Sequence, residues 1–600
     1  MFSDPSCPYL IDEASAVFGG LGGRPRSKRQ HLLPLDPVDP NVALCLRPAQ
    51  LASLISEYVD QWVGTFRKCF FAQTANDWCG WSGAGLGLWI PTDPKYIPHL
   101  MELENLLIAP LTGLNQDKRI TLPYFEVAKM TAPLARAIIN CKALNEHMGK
   151  SPKVLFPSIE DIFAMLLFFP QAHTVTADFR HWFHQLPLPV AAHFLFTVAS
   201  GSTWCGEYLA WPMGFNWSPF VSQTISMLLV RLAVEKLNWT AESPIPACES
   251  TPPFWIIRNQ TNRVIAFAVV WYDNLLIIAT NAAVQEKLSS AFLQICGAVN
   301  AKLKPFSKEN PAVFQKRIDS MDYIGIHFSK AQGRLYWQHM EKPHWLAAQE
   351  APLTWRSASC ILGIIVWDWT VSGDNRSSIR LFLRISKVIG LEFGDDKHQN
   401  SWDDLAPVSK ISADDWELLQ SKLKDIQNQG IQERFLYMPD AQPRKQILLA
   451  SDAMKNNGAV VFFDASGKEI DITVKKYSAE LSINFKETDI ARTGVVKYAT
   501  RFPGSEIRLC VDNTTALVAM KRRIFSADEE QQEKLDEMTN LLQNTNTVLL
   551  VCQVAGLHMA ADERSRGLVS SREKMILCAK FLEEIRTTHW FLNLRKNQEK

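Results

Sequence analysis

Charge of one sign is what this chain most plainly lacks: 63 basic residues face 62 acidic ones, leaving a formal charge of +1 over 600 residues. Near-neutrality excludes no class of partner, because basic groups can line one channel while carboxylates gather elsewhere. The twelve cysteines contain no CxxC spacing and no zinc-type ligand pairing, which points to buried free thiols in a reducing compartment. The opening Met1-Phe2-Ser3-Asp4-Pro5 lacks the basic-then-apolar order of a secretory signal, so an intracellular location, cytoplasmic or nuclear, is expected. Long apolar runs are missing as well. The strongest candidate, Val264 to Thr280, carries Asp273 and Asn274 near its middle and reads as strand, turn, strand rather than a membrane span, so no membrane partner is expected. What is present is the composition of a folded protein, 47% apolar and 21% charged, in a chain too long for one core, which predicts several domains.

Residues 1–110 read as an N-terminal extension of unknown role without a catalytic motif. Arg24-Pro25-Arg26-Ser27-Lys28-Arg29 is a short basic run, compatible with a solvated segment or with nuclear targeting or nucleic-acid contact. Leu51 to Phe66 repeats apolar residues at Leu54, Ile55, Tyr58, Val59 and Trp62, a helical period that predicts packing onto the core. Short strands and helices alternate over 111–345. Helix candidates around Ile361 to Trp367 and Trp416 to Ile426 follow in 346–445, separated by a polar stretch from Gly394 to Asp404. Gln442-Pro443-Arg444-Lys445 looks like a linker into 446–600, where strands are expected at 447–450, 458–463 and 507–511. Helices are expected there at 485–499, 514–521, 528–543 and 571–585, giving a mixed α/β layer.

Two acidic constellations stand out. Thr174 to Ala177 leads into Asp178, and Val264 to Trp271 leads into Asp273, so both acids follow β-rich runs. Two strand ends in one antiparallel sheet can bring carboxylates to within about 4 Å of shared metal ions. Asp178-Phe179-Arg180-His181-Trp182-Phe183 resembles the first palm motif of retroelement reverse transcriptases. Trp211-Pro212-Met213-Gly214-Phe215-Asn216-Trp217-Ser218-Pro219 is similar to that family's second motif, and Tyr323-Ile324-Gly325 to its primer grip. Arg136 to Asn145 resembles the fingers strand, and Trp271-Tyr272-Asp273-Asn274 sits where an aromatic-x-Asp-Asp hairpin belongs. The five segments occur in the family's order over about 190 residues.

The resemblance implies a right-hand polymerase, with fingers and palm over 111–345 and thumb and connection over 346–445. It also implies roles: Asp178 and Asp273 as catalytic metal ligands, Arg136 on the incoming triphosphate, Phe183 as the gate against a 2′-hydroxyl. Met213 and Gly214 would adjoin the nucleotide, Gly214 allowing close backbone approach. Asn274 departs from the pattern, since an amide contributes no negative charge. The expectation is a working polymerase with altered metal preference or rate. Trp271 for the usual tyrosine, and Asn140 and Lys142 for the usual acid and arginine, are further departures.

The second constellation is Asp452, Glu487, Asp512 and Asp562, spaced by 35, 25 and 50 residues. Asp452 follows an apolar strand, Glu487 opens a helix, Asp512 ends a strand with Asn513 or Thr514 as the next helix cap, and Asp562 lies beside Arg564 and Arg566. Four converging carboxylates repel one another without cations, which implies Mg²⁺ or Mn²⁺, two ions per centre. Glu480 is the rival for the helix acid; Asp464 and Asp489 are expected at the surface. Lys521-Arg522-Arg523 reads equally as a phosphate track or a solvated helix end. The pattern resembles ribonuclease H. Ile483-Asn484 before Glu487, Asp512 to Ala516, and Ala561-Asp562 with Ser565-Arg566 resemble tyrosine-recombinase retrotransposons of the DIRS order, including the VIPER-like elements of trypanosomatids, with pararetroviral and Ty3-like polymerases as the neighbouring possibilities. Neither a recombinase catalytic set nor an aspartic-protease Asp-Thr-Gly motif is visible.

The fold implied is multidomain, α+β and α/β: a polymerase right hand of fingers, palm and thumb followed by a ribonuclease H-like mixed α/β domain with a C-terminal helical tail. The activity implied is RNA-directed DNA polymerase with ribonuclease H. Its partners would be an RNA template, a DNA primer or RNA–DNA hybrid, and deoxynucleoside triphosphates; monomer and homodimer are both compatible. The alternatives are a domesticated nucleic-acid-binding or structural protein with an inactive polymerase centre, or ribonuclease H activity alone.

Overall fold

The computed structural model describes residues 32–55, 60–75, 78–82, 88–111, 119–128, 134–201, 204–244, 250–307, 310–340, 354–372, 384–386, 388–389, 392, 404–434, 444–523 and 529–583. The basic run at 24–29 and most of the polar stretch at 394–404 lie outside them, as do Tyr58 and Val59. The chain gathers into two compact units, one drawn from Met1–Val371 and Ser386–Leu436, the other chiefly from Tyr437–Asn593. Each mixes helices and sheets. Among the described residues no helix is long and apolar enough to cross a membrane.

In the larger unit, the helical period seen at 51–66 belongs to two helices, α1 (Pro48–Leu54) and α2 (Gln61–Phe70). A two-stranded ribbon follows, β1 (Tyr124–Ala128) with β2 (Ala135–Ile139). Next come α3 (Ile159–Phe168), β3 (His173–Asp178), the short α4 (Trp182–Gln185) and α5 (Ser218–Lys236). Then β4 (Thr240–Glu242), β5 (Trp255–Arg258), β6 (Val264–Trp271), β7 (Asn274–Ala279), α6 (Ala282–Ala298) and β8 (Gln315–Ile318) complete an antiparallel sheet ordered β8-β3-β7-β6-β5-β4. A second antiparallel sheet joins β9 (Ser320–Tyr323), β10 (Ile326–Ala331), β11 (Arg334–His339) and β12 (Gln432–Arg434) in sequence order. Between β11 and β12 run α7 (Trp355–Ser372) and α8 (Ala413–Asn428).

All eight residues of β6 are buried, which explains why this segment reads as a continuous apolar run rather than an alternating one. One face packs with α5 and α6 in the main core; on the other, Phe267 meets Phe168 and Phe169 at ring-centroid distances of 5.0 and 5.6 Å. Helix α3 starts with a capping box: the Ser158 hydroxyl accepts from the Asp161 amide while the Asp161 carboxylate accepts from that of Ser158, satisfying two otherwise orphaned donors. Helix α5 opens on Ser218-Pro219, proline being suited to a first turn. The segment before α1 is stitched across the unit. Pro34 and Asp36 exchange main-chain bonds with Ala135 of β2, and the Leu44 amide donates to His184 O of α4 at 2.8 Å.

The smaller unit holds a five-stranded mixed sheet of β13 (Gln446–Ala453), β14 (Asn457–Phe463), β15 (Glu469–Lys476), β16 (Glu506–Val511) and β17 (Val548–Gln553), ordered β15-β14-β13-β16-β17. The pairs β13–β16 and β16–β17 are parallel and the others antiparallel. Parallel neighbours require crossovers. These are α9 (Ile483–Arg501) before β16, and α10 (Thr514–Arg522) with α11 (Glu529–Asn544) before β17; α12 (Ala561–Ser565) and α13 (Arg572–Glu583) follow. The expected strands and helices of 446–600 therefore form, each within a few residues of its forecast limits. Successive strand residues face opposite ways: Ile447 and Leu449 pack with α9, α10 and α11, while Leu448 and Ala450 pack with α12 and α13. Helix α9 lies close over the sheet because Gly494 has no side chain, a Cβ there standing 2.7 Å from Val460 Cγ1. All ten cysteines among the described residues are free thiols, buried or half-buried.

Candidate active sites

The first site forms where β3 ends beside the β6–β7 hairpin. Asp178 is the cross-strand partner of Asn274, which in turn pairs with Trp271. A two-residue loop, Tyr272-Asp273, closes the hairpin, with Tyr272 at φ +53° in the left-handed region. A non-glycine residue pays about 1–2 kcal/mol for that conformation, so something must hold it. Helix α5 does. The Gln223 side chain accepts from the Tyr272 amide at 2.9 Å and donates to Val270 O at 2.7 Å, and the Ser226 hydroxyl donates to Tyr272 O at 2.7 Å. The Phe179 amide donates to Asp273 O at 2.8 Å, fastening the turn to the end of β3.

The Asn274 amide donates to Asp273 Oδ1 at 2.9 Å. It therefore acts here as a donor that orients a carboxylate. Burial pushes the Asp178 carboxyl above its ordinary range, opposed by Lys304. The Tyr323 hydroxyl donates to Asn274 O at 3.1 Å, and its phenol is pushed up by burial and by both Asp178 and Asp273. Tyr323 is thus turned inward against the hairpin, whereas Ile324 and Gly325, both at positive φ, form the outer turn between β9 and β10.

The expected nucleotide-side residues surround this centre unevenly. Phe183 is half-buried, its ring centroid 6.4 Å from that of Tyr272. Trp271 stacks on Phe156 with centroids 4.3 Å apart. Met213 is half-buried, and Gly214 is exposed at φ +102°, where a Cβ would come within 3.0 Å of Ile139 O on β2. Arg136 is an exposed residue of β2. Asn145 links the two motifs, donating to Gly214 O and accepting from the Asn216 amide, each at 3.0 Å.

The second site assembles in the smaller unit. Oxygen atoms of Asp452 on β13, Glu487 on α9 and Asp512 just past β16 all lie within 4.8 Å of one another. Glu487 Oε1 accepts from the Ala453 amide at 2.9 Å, while Oε2 is buried with no hydrogen-bond partner. Asp452 Oδ2 accepts from the Ser565 hydroxyl at 2.6 Å. Burial first, then the neighbouring acids, pushes Asp452 up to about 6 against the relief from Ser565. Burial and then Asp452 push Glu487 up to about 9, and Asp512 is raised chiefly by burial. Three converging acids, one with a buried oxygen that has no hydrogen-bond partner, are a donor set suited to a hard divalent cation.

Asp512 is fixed through its main chain: Gln553 donates to Asp512 O at 2.9 Å, and Asn513 caps α10 by accepting from the Ala516 amide. Asp562 stands apart from the trio, its carboxylate 2.8 Å from the Arg566 guanidinium. Of the rival acids, Glu480 is exposed in a turn. Asp489 corrects the expectation of a surface acid: it is buried, with Lys475, Arg492 and the Tyr477 hydroxyl around it at 2.5, 3.0 and 2.8 Å. Period alone could not place it, since the three groups that satisfy it come from β15, the following loop and the next turn of its own helix. Gln223, Ser226 and Ser565 are the functional positions that motif reasoning did not assign. The signal for the first two was the polar run Ser222-Gln223-Thr224 with Ser226 inside a largely apolar helix, and these four residues are fully buried.

No protein-family model matches the chain, and no curated protein is similar enough to count as a relative. Among solved structures, the foamy viral protease–reverse transcriptase dRH in complex with double-stranded DNA overlays 79% of this chain and 73% of its own at 10% identity and a TM-score of 0.40. The same viral protein in complex with an RNA/DNA hybrid overlays 79% of this chain and 56% of its own at 11% identity, also at 0.40. The native prototype foamy virus protein overlays 88% and 64% at 12% identity and 0.29.

Proposed function

We propose that this chain is an RNA-directed DNA polymerase with ribonuclease H activity, copying retroelement RNA into DNA and hydrolysing the RNA strand of RNA–DNA hybrids. The observation that carries it is one chain with two separate carboxylate centres, Asp178 with Asp273 on a clamped hairpin and Asp452, Glu487 and Asp512 with oxygens within 4.8 Å. In this reading 111–345 are fingers and palm, 346–445 thumb and connection, and 446–600 the nuclease. The motif endings around Glu487, Asp512 and Asp562 support a lineage near the DIRS order.

Asp452, Glu487 and Asp512 suit Mg²⁺ or Mn²⁺, and Asp178 with Asp273 would hold the same cations; two ions per centre, when bound, would activate a primer hydroxyl or water and neutralise the departing oxygen. The chain's own residues do the rest. Asp178 and Asp273 present carboxylates held by β3 and the hairpin, and the Asn274 amide keeps Asp273 aligned. Phe183 beside Tyr272 would crowd a 2′-hydroxyl, favouring deoxynucleoside triphosphates. Gly214 would admit close backbone approach of nucleotide or template, and exposed Arg136 would meet the triphosphate. In the nuclease, Ser565 and the Ala453 amide orient Asp452 and Glu487.

Primer extension on poly(rA)/oligo(dT) with Mg²⁺ and with Mn²⁺ tests the proposal. Extension should vanish in Asp178→Asn, and hybrid cleavage in Asp512→Asn. The amide at Asn274 favours one second reading, ribonuclease H alone. Absence of extension in either metal, with hybrid cleavage lost only in Asp512→Asn, would establish it instead.

A further inference from the structure

The charges around Asp562 are arranged unlike the rest of the nuclease centre. Three carboxylates converge, but that of Asp562 meets Arg566, one turn later on the chain, with Oδ1 2.8 Å from the guanidinium; Lys574 Nζ stands 3.9 Å from Oδ2. The backbone beneath is tied down. The Ser565 hydroxyl, with one hydrogen to share, lies 2.6 Å from Asp452 Oδ2 and 2.8 Å from Asp562 O. Arg564 grips Glu469 through two bonds of 3.0 and 2.6 Å. Asp562 and Arg566 can therefore reorient by side-chain rotation while α12 stays in place. Arg566 has the freedom to do so, its side chain being 55% exposed. Asp562 remains close enough for its charge to raise the carboxyls of Asp452 and Asp512.

We propose that Arg566 is a positioning residue of the nuclease centre: it holds Asp562 off the Asp452–Glu487–Asp512 cluster until a phosphodiester of bound nucleic acid takes the guanidinium, and Asp562 then turns in to complete the cation site. The inference rests on the nuclease reading above. A guanidinium forks onto carboxylate and phosphate with the same geometry, so exchanging one anion for the other leaves no charge unpaired. With the Arg566 side chain half in solvent, this ion pair is screened and readily exchanged. Lys574 keeps Glu563, 3.3 Å away, as its partner after the exchange. Cation and nucleic acid then strengthen each other's binding reciprocally.

Mn²⁺ binding to the full chain, measured by calorimetry, provides the test. Asp178→Asn silences the other centre, and a saturating hybrid with a 2′-O-methyl RNA strand prevents cleavage. In this parent the hybrid should tighten Mn²⁺ binding about tenfold. In Arg566→Ala and Arg566→Gln, Mn²⁺ should bind tightly without hybrid, and hybrid should add less than about twofold. A hybrid effect of parental size in both variants, with an Asp452-dependent Mn²⁺ site intact, overturns the role of Arg566 alone. Mn²⁺ binding that Asp452→Asn leaves unchanged, observed before any hybrid is added, overturns the nuclease reading and this inference together.

Discussion

Proton release on cation binding tests the three-acid centre quantitatively. Burial and mutual repulsion push Asp452 up to about 6 and Glu487 up to about 9, whereas carboxyls in an unfolded chain titrate near 4. Because the acids interact, these values belong to the cluster as a whole. Between about pH 6 and about pH 9 the cation-free cluster thus retains about one proton. Divalent cations require deprotonated oxygens and expel it. Mn²⁺ titrations of the Asp178→Asn chain in buffers of different ionisation enthalpy should show about one proton released per centre near pH 7.5, approaching two below about pH 6 and none above about pH 10. The sign for stability follows from the same shifts. Folded values lie above unfolded ones, so the stabilising contribution is complete below about pH 4 and is lost as pH rises through about 6 and about 9. The cation-free protein should lose up to about 1.4 kcal/mol per pH unit for each retained proton, a slope that saturating Mn²⁺ abolishes. Binding that Asp452→Asn eliminates, yet that releases no proton near pH 7.5, would refute the buried convergence.

Gln223→Met removes both bonds to the hairpin main chain; primer extension should fall about a hundredfold and stability by about 1–3 kcal/mol, with hybrid cleavage per folded molecule unchanged. Asn274→Asp adds a carboxylate beside Asp178 and Asp273, so the Mg²⁺ concentration for half-maximal extension should fall; an unchanged or higher requirement would contradict cation binding by this carboxylate set. Ser565→Ala withdraws the hydroxyl that lowers Asp452, so the acidic limb of the hybrid-cleavage pH profile should move to higher pH. Gly494→Ala forces a Cβ against Val460 and should cost about 1–3 kcal/mol in thermal or denaturant unfolding, loosening Glu487 with α9.

The chain displays in one dimension whatever depends on neighbours in sequence. The strand run into Asp273, the helix that carries Glu487 and the cap at Asn513 follow from period and end chemistry. Contacts between distant segments leave a fainter trace. Gln223 lies 47 and 49 residues from the hairpin groups it binds, and nothing local says that a buried glutamine on an apolar helix has its partner there. Tyr323 is placed by its motif in the primer grip, but only sheet pairing shows its hydroxyl turned toward Asn274 O. Asp562 could be aligned with the other acids by spacing, but its rotamer answers to Arg566, a charge one turn away.

The clamp on the Tyr272-Asp273 turn grips peptide groups and ignores what hangs from each Cα. Rings at 271 and 272 can then be exchanged for others that fit against Phe156 and Phe183 without moving the Asp273 carboxylate. The geometry of that centre is written instead at 223 and 226, on a helix that contributes no ligand and would pass, by its burial, for ordinary core.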